Sequence, residues 1–387
     1  MASRSGPEAG RPRGLAARIA LVAALLLAPV MSASAAPATP LDPSARLPIG
    51  DHASEYWTLF VELDSGHRIT QRFLITNAGP GDHSAVAVGH LMERGRPPYR
   101  YVNGRRRNAW TLSPDRLFLD IAASHLDLHR PKGALKITKE DVEIRLDFDL
   151  AATALAGPVP AAQLPSRYFV EVLAVGAVTQ GTLKAPWMTA AVPVKGRTWL
   201  VHTWTPDDEA TLLDRRVDVF GRSGPALFYG LQVTGDDSFV GAWQIAARPV
   251  PGRTTAAWSR FPARWKEGSG WLSGKTGTGF PVPDRFELLG TGSSGEIRLS
   301  NEWLRFDPLE VIPQPFRWFI RRSSQPQEVW ADTRIAVSIG RALESPSPPP
   351  SRTERVSNSQ RESEDETAEL NVTGVASITF MNPIDRR

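Results

Sequence analysis

Apolar and polar residues alternate along most of this chain in short runs, separated by Gly, Pro and Asn-Gly. Val142-Glu-Ile-Arg-Leu-Asp-Phe-Asp-Leu150 alternates strictly, which puts Val142, Ile144, Leu146, Phe148 and Leu150 on one buried face. Residues 57–63, 69–76, 85–91, 117–121, 134–137, 142–150 and 168–175 all suit strands. Helical periodicity is nearly absent. The 31 Gly and 33 Pro in 387 residues exceed the usual share of about 12% and match turns spaced closely along the chain. The pattern predicts an all-β protein of antiparallel barrels or sandwiches.

A weak internal repeat predicts two similar halves. Val61-Glu-Leu-Asp-Ser-Gly66, followed by Ile69 and Phe73, aligns with Leu231-Gln-Val-Thr-Gly235, followed by Phe239 and Trp243. Both read as hairpins, and their offset is close to half the chain, as a duplicated domain requires. Pro193-Val-Lys-Gly-Arg-Thr interrupts the pattern, so the domains are expected at 50–196 and 197–343. Residues 344–369 turn to Ser, Pro, Arg and Glu and read as a disordered linker, after which 370–387 supply a closing strand and tail. Ten of the 12 Trp lie from Trp187 onward, which fits either an aromatic-lined cavity or a Trp-rich core.

Charge changes the picture less than it first suggests. The chain has 45 Lys+Arg against 41 Asp+Glu, with a sequence pI near 9.5. Residues 1–35, however, read as a signal peptide: Arg11, Arg13 and Arg18 precede an apolar run over 19–27, and Ala33-Ser-Ala35 fits a cleavage site. Without the four Arg and one Glu of that segment, 41 basic and 40 acidic residues remain. A near-neutral chain lacks the basic footprint of a nucleic-acid partner, so none is expected. Residues 36–49 read as a Pro/Ala-rich leader, and no later stretch is apolar enough for a transmembrane anchor. The expected location is the periplasm or the cell exterior. No Cys is present, which excludes thiol catalysis and Cys-ligated zinc.

Several motifs fail on context. Gly290-Thr-Gly292-Ser-Ser-Gly295 matches a dinucleotide fingerprint by letter, but the strand-like Glu296-Ile-Arg-Leu follows where a helix is needed. Gly274-Lys275-Thr276 lacks the leading glycine of a P-loop, since position 269 is Ser269. His125-Leu-Asp127-Leu-His129 puts two imidazoles and a carboxylate on one strand face, either as metal ligands or as a solvated outer face. No metal or cofactor is expected. Arg94, Arg96, Arg100, Arg105, Arg106 and Arg107, with Tyr99 and Tyr101 between them, form the one basic cluster. It suits a phosphate, a polyanion or an anionic headgroup, or else serves solubility on an exposed turn.

The most specific stretch runs over 168–246. It holds Gly196-Arg-Thr-Trp199-Leu-Val-His202-Thr-Trp204 and then Leu227-Phe-Tyr229-Gly-Leu-Gln232-Val, while Glu55-Tyr56-Trp57 and Gly66-His-Arg68 lie near the start. These segments resemble the AttH and carotenoid 1,2-hydratase superfamily of lipocalin-like proteins. The family has a Trp-Leu-Asp-His-Glu/Gln-Trp hallmark, a later Leu-Gln-Leu strand and a Glu-Trp-Trp opening. The resemblance implies two lipocalin-like β-barrel or sandwich domains and an apolar cavity for an isoprenoid, carotenoid or lipid-like molecule. It carries over His202, Trp204 and Tyr229 as catalytic candidates. The hallmark acids are replaced by Val201 and Thr203, and Leu231 stands where an acid beyond the Tyr is sought. Hydration of an alkene needs a strong acid and a base, so the loss favours binding without turnover. His202 is alternatively a satisfied core histidine.

The reading is therefore a secreted two-domain protein that binds a hydrophobic small molecule, with Trp57, Phe73, Trp199 and Trp243 as lining candidates. The alternatives are a hydratase or isomerase acting on a polyene through His202 and Tyr229, and a cell-envelope component of an export system.

Overall fold

The computed structural model describes residues 44–339 and 368–381, except 78–82, 106, 114–116, 130, 151–156, 160, 162–163, 225, 235–241, 248–258, 262–263, 269, 271, 273–281, 291–292, 312–316, 319–320 and 322–325. The signal segment, most of the leader and nearly all of the 344–369 linker lie outside the described residues.

Two curled antiparallel sheets make up the fold, each closing about half of a barrel. The first contains β1 (Ser54–Leu63), β2 (Arg68–Thr76), β3 (Ser84–Met92), β4 (Tyr99–Arg105), β5 (Thr111–Leu112), β6 (Leu117–Ile121), β7 (Ser124–His129), β8 (Lys132–Lys139), β9 (Val142–Asp149), β10 (Gly157–Pro158), β11 (Phe169–Lys184) and β12 (Val192–Thr205). Its order is β4-β3-β2-β1-β12-β11-β9-β8-β7-β6-β5, with β10 added to β11. A short helix, α1 (Glu209–Leu212), bridges to the second sheet, and Asp208 caps it by accepting the Ala210 N–H.

The second sheet contains β13 (Arg215–Ser223), β14 (Ala226–Thr234), β15 (Ala242–Ala247), β16 (Ser259–Phe261), β17 (Arg264–Glu267), β18 (Arg285–Gly290), β19 (Ser293–Phe306), β20 (Gln327–Ile339) and β21 (Ala368–Phe380). Its order is β16-β15-β14-β13-β21-β20-β19-β18-β17. In both sheets the first strand pairs with the last, β1 with β12 and β13 with β21. The halves thus repeat one topology. The structural counterpart of the β1–β2 hairpin is β13–β14, whereas the sequence repeat had aligned it with β14–β15. Residues 194–197, the expected boundary, lie inside β12, and the chain changes sheets between Thr205 and Arg215.

Among the described residues, three apolar cores follow from this arrangement. Trp57, Leu59, Val61, Phe73 and Leu146 belong to the interior of the first sheet, and Val217, Val219, Phe286 and Ile378 to that of the second. The third lies between the sheets, where Phe60, Trp199, Phe220, Tyr229 and Trp330 pack. Phe60 stacks on Phe220 at 5.1 Å and Phe220 on Trp330 at 6.1 Å; such pairs add about 0.5–1.5 kcal/mol each beyond area burial. A strand covered on both faces is mostly apolar, and the polar residues it keeps need buried partners. In β1, 55–61 is buried without a break.

The hairpin expected at 290–295 joins β18 to β19, with Gly290 opposite Ser293. His125, Asp127 and His129 stand on β7 with Leu126 and Leu128 buried between them, the pattern of a solvated outer face. Among the described residues no group of metal-ligating side chains forms, and no helix is long and apolar enough to cross a membrane.

Candidate functional site

The residues singled out by sequence divide between two places. On β12, Leu200 packs into the first interior while Trp199 and Val201 face the second sheet. His202 follows Leu200 by two, so it turns inward, opposite Trp57 of β1 and Glu171 of β11. Its ring stacks on Trp57 at 4.6 Å and tilts against Trp204 at 4.7 Å. Phe73 belongs to the same core and is completely buried.

His202 has an acidic partner that its own strand lacks. Nε2 lies 2.7 Å from Oε1 of Glu55, and both side chains are completely buried. Glu55 also accepts the backbone N–H of Arg46 at 2.8 Å and of Leu47 at 2.7 Å. An acceptor so used leaves the hydrogen on His202 Nε2. The carboxylate thereby fastens residues 46–47 of the leader to the barrel. Trp204 is half-buried at the same end, between the Phe169 ring at 5.3 Å and the Arg46 guanidinium at 5.4 Å. Asp207 and Asp208, the other acids near His202 in sequence, belong to the turn that starts α1.

Tyr229 and Trp199 lie on the opposite side, between the sheets. Trp199 Nε1 donates to the Phe228 carbonyl at 3.0 Å. Tyr229 donates to Asp218 Oδ1 at 2.8 Å, so the acid sought along its own strand comes from β13. Arg216 grips that carboxylate through Nε and a terminal nitrogen at 2.7 and 3.0 Å. Its other nitrogen donates to Tyr56, Tyr168 and Thr203 at 3.1, 2.9 and 2.8 Å. Glu209 of α1 accepts from Tyr56 at 2.6 Å and from Tyr168 at 2.8 Å. Burial pushes the Tyr168 and Tyr229 phenols well up, with Glu209 and Asp218 reinforcing it respectively. Burial pulls the Arg216 guanidinium down, but Asp218, Tyr168 and Tyr56 together more than restore it and hold it charged. Sequence reasoning missed this network. Its signal was Arg216 and Asp218 alternating with Val217 and Val219 in a strand buried on both faces, where charges persist only in pairs.

A third place has open volume. A cleft of about 1150 Å³ lies between the sheets at the β1–β2 turn. The first sheet contributes Glu62, Arg68, Met92 and the 93–98 loop; the second contributes Arg222, residues 300–303, residues 332–334 and Gly374. Ser300, Asn301, Glu302 and Trp303 all line it, although a regular strand sends only alternate residues to one face. Two register shifts in β19, at 300–302 and 302–304, with Asn301 at φ 42°, supply the difference. The Arg68 guanidinium lies 3.5 Å over the Trp303 ring. None of His202, Trp204, Tyr229, Trp57, Phe73 or Trp199 lines this cleft. Trp243 stands on β15 opposite Gln232, and its side chain lies outside the described residues.

No family model and no curated protein matches the sequence. Solved structures do match in three dimensions. A candidate AttH from Nitrosomonas europaea superposes with a TM-score of 0.54 at 12% identity, covering 89% of this chain and 99% of that one. The chain has the fold of this candidate AttH. Kievitone hydratase from Nectria haematococca gives 0.52 at 11% identity over 87% and 91% of the two chains. CghA with Sch210972 gives 0.51 at 11% identity over 89% and 95%. The AttH-like fold thus accounts for nearly the whole described chain, as the short hallmark segments implied.

Proposed function

We propose that this protein binds a small hydrophobic molecule in the cleft between its two half-barrels and releases it unchanged. The observation that carries the proposal is the lining by four consecutive β19 residues. A doubly bulged strand with a left-handed Asn301 is a local departure from regular pairing that exposes Trp303 and its neighbours to the cleft. The volume suits a drug-sized ligand. A neighbour of the same fold, CghA, is solved with Sch210972, which supports a small-molecule role. With residues 1–35 read as an export signal, binding takes place in the periplasm or outside the cell.

Binding is favoured over turnover by the positions of the polar groups. His202 points into the first interior, Tyr229 toward the second sheet, and each is engaged by its own buried carboxylate. A reaction using both at one ligand has no shared space on which to run. The test is organic extraction of protein purified from its native host, followed by mass spectrometry. A hydrophobe recovered near one per chain is the expected result. A protein that is always empty and takes up no added hydrophobe overturns the proposal.

A further inference from the structure

We infer that the cleft selects a hydrophobic molecule bearing an acidic head group, and that Arg94 and Arg334 receive that group. The inference rests on the cleft being the binding site, and it follows from the pairing of charges along its walls.

Every acidic side chain lining the cleft already has a cation. Glu62 lies 2.7 Å from Arg222 and 3.5 Å from Arg68. Asp64 pairs with Arg222 at 2.9 Å, Asp332 with Arg68 at 2.7 Å and Glu93 with Arg96 at 2.7 Å. Glu302 is held at 2.7 Å by Arg305, which is not part of the lining. Arg94 and Arg334 are left over. Both are exposed, both line the cleft, and neither side chain has an ion pair or hydrogen bond among the described residues.

Their placement gives the excess charge a direction. Arg94 follows Glu93 in the β3–β4 loop of the first sheet, while Arg334 stands on β20 of the second. Each sheet thus contributes one such guanidinium to the same cleft. The planar guanidinium fork matches carboxylate and phosphate oxygens better than any other side chain. Met92, Pro97, Pro98 and the Trp303 ring supply apolar surface in the same cleft for the rest of the molecule. The basic cluster of the sequence thus splits by use: Arg96 and Arg100 are tied to Glu93 and Glu310, and Arg94 is free.

The test compares matched acid and alcohol probes on the full-length protein at low ionic strength: retinoic acid against retinol, and palmitate against hexadecanol. Each acid should bind about tenfold more tightly than its alcohol, the size expected of two partly exposed ion pairs. The preference should fall to within twofold in the double variant Arg94→Ala/Arg334→Ala, and also shrink at high salt in the wild type. Since neither arginine has a folding partner, circular dichroism of the variant should match the wild type. Equal binding of acids and alcohols, or a preference that survives the double substitution, overturns the inference and leaves the cleft reading standing. Failure of all four probes to bind removes both. Hexadecyl phosphate and inorganic phosphate as competitors separate a hydrophobic anion from a bare ion. Displacement of the bound acid by inorganic phosphate alone, at equal concentration, also overturns the inference.

Discussion

His202 Nε2 sits 2.7 Å from Glu55 Oε1, with no exposed surface on either side chain. The pair joins β1 to β12 and holds the leader through the Arg46 and Leu47 amides. Breaking a pair buried this way leaves the Glu55 carboxylate without its imidazole donor, which destabilises the fold. His202→Ala removes a charge-assisted hydrogen bond and leaves a gap against Trp57, a combined cost of about 2–4 kcal/mol. Urea unfolding should show that loss. A variant as stable as the wild type would assign His202 to chemistry, since catalytic groups are commonly held at a cost to stability.

The Arg216 network predicts both a mutational and an alkaline signature. Asp218→Asn leaves Arg216 buried without its counter-charge, expected to cost about 3–5 kcal/mol. Tyr229→Phe removes only one hydrogen bond to Asp218, about 1 kcal/mol. Tyr56, Tyr101, Tyr168 and Tyr229 are all pushed up, chiefly by burial. A raised phenol favours the native state below its ordinary value near 10, and that contribution is lost as pH rises above it. Of the five Tyr, Tyr99 is the least buried, though burial and its bond to Glu140 push it up as well. Absorbance at 295 nm should therefore show one reversible ionisation, then four arriving together with unfolding.

His90 governs the acid side. Its Nδ1 is 3.3 Å from Thr70 Oγ1, its ring packs on Phe306 at 4.7 Å, and Nε2 has no partner among the described residues. Burial, then Arg100 and Arg72, pushes its pKa down to about 3. The unfolded chain takes up this proton near pH 6.5 and the native chain does not, so stability falls between about 6.5 and 3. His90→Leu should flatten the fall in urea midpoint from pH 7 to 3.5, by up to a few kcal/mol at the acid end. Identical slopes in the two proteins would show that another group controls it.

The strands were legible because alternation survives wherever one face is wet, as in Val142–Asp149. The hallmark around His202 was legible as well, but its chemistry was not, because Glu55 lies 147 residues away and reaches it only through β1–β12 pairing. Lys195-Gly-Arg197 looked like a break between domains. It is the outer half of one long strand, where Lys195 is exposed, Gly196 fits against Glu62, and Arg197 reaches the Gly176 carbonyl. The hairpin repeat slipped by one strand pair because 231–235 copies the letters of the first turn, while the topological copy at Ser223–Ala226 does not. The cleft left no local trace: its arginines come from positions 68, 94, 96, 222 and 334, and only the three-dimensional pairing shows which are free.

A single set of isotherms tests where the ligand sits. Retinoic acid binding should be measured for the wild type, Trp303→Ala in the cleft and Phe73→Leu in the first interior. Removing the Trp303 wall should weaken binding about tenfold, with Phe73→Leu unchanged. Weakening by Phe73→Leu with Trp303→Ala unaffected would place the ligand inside the first half-barrel and contradict the account.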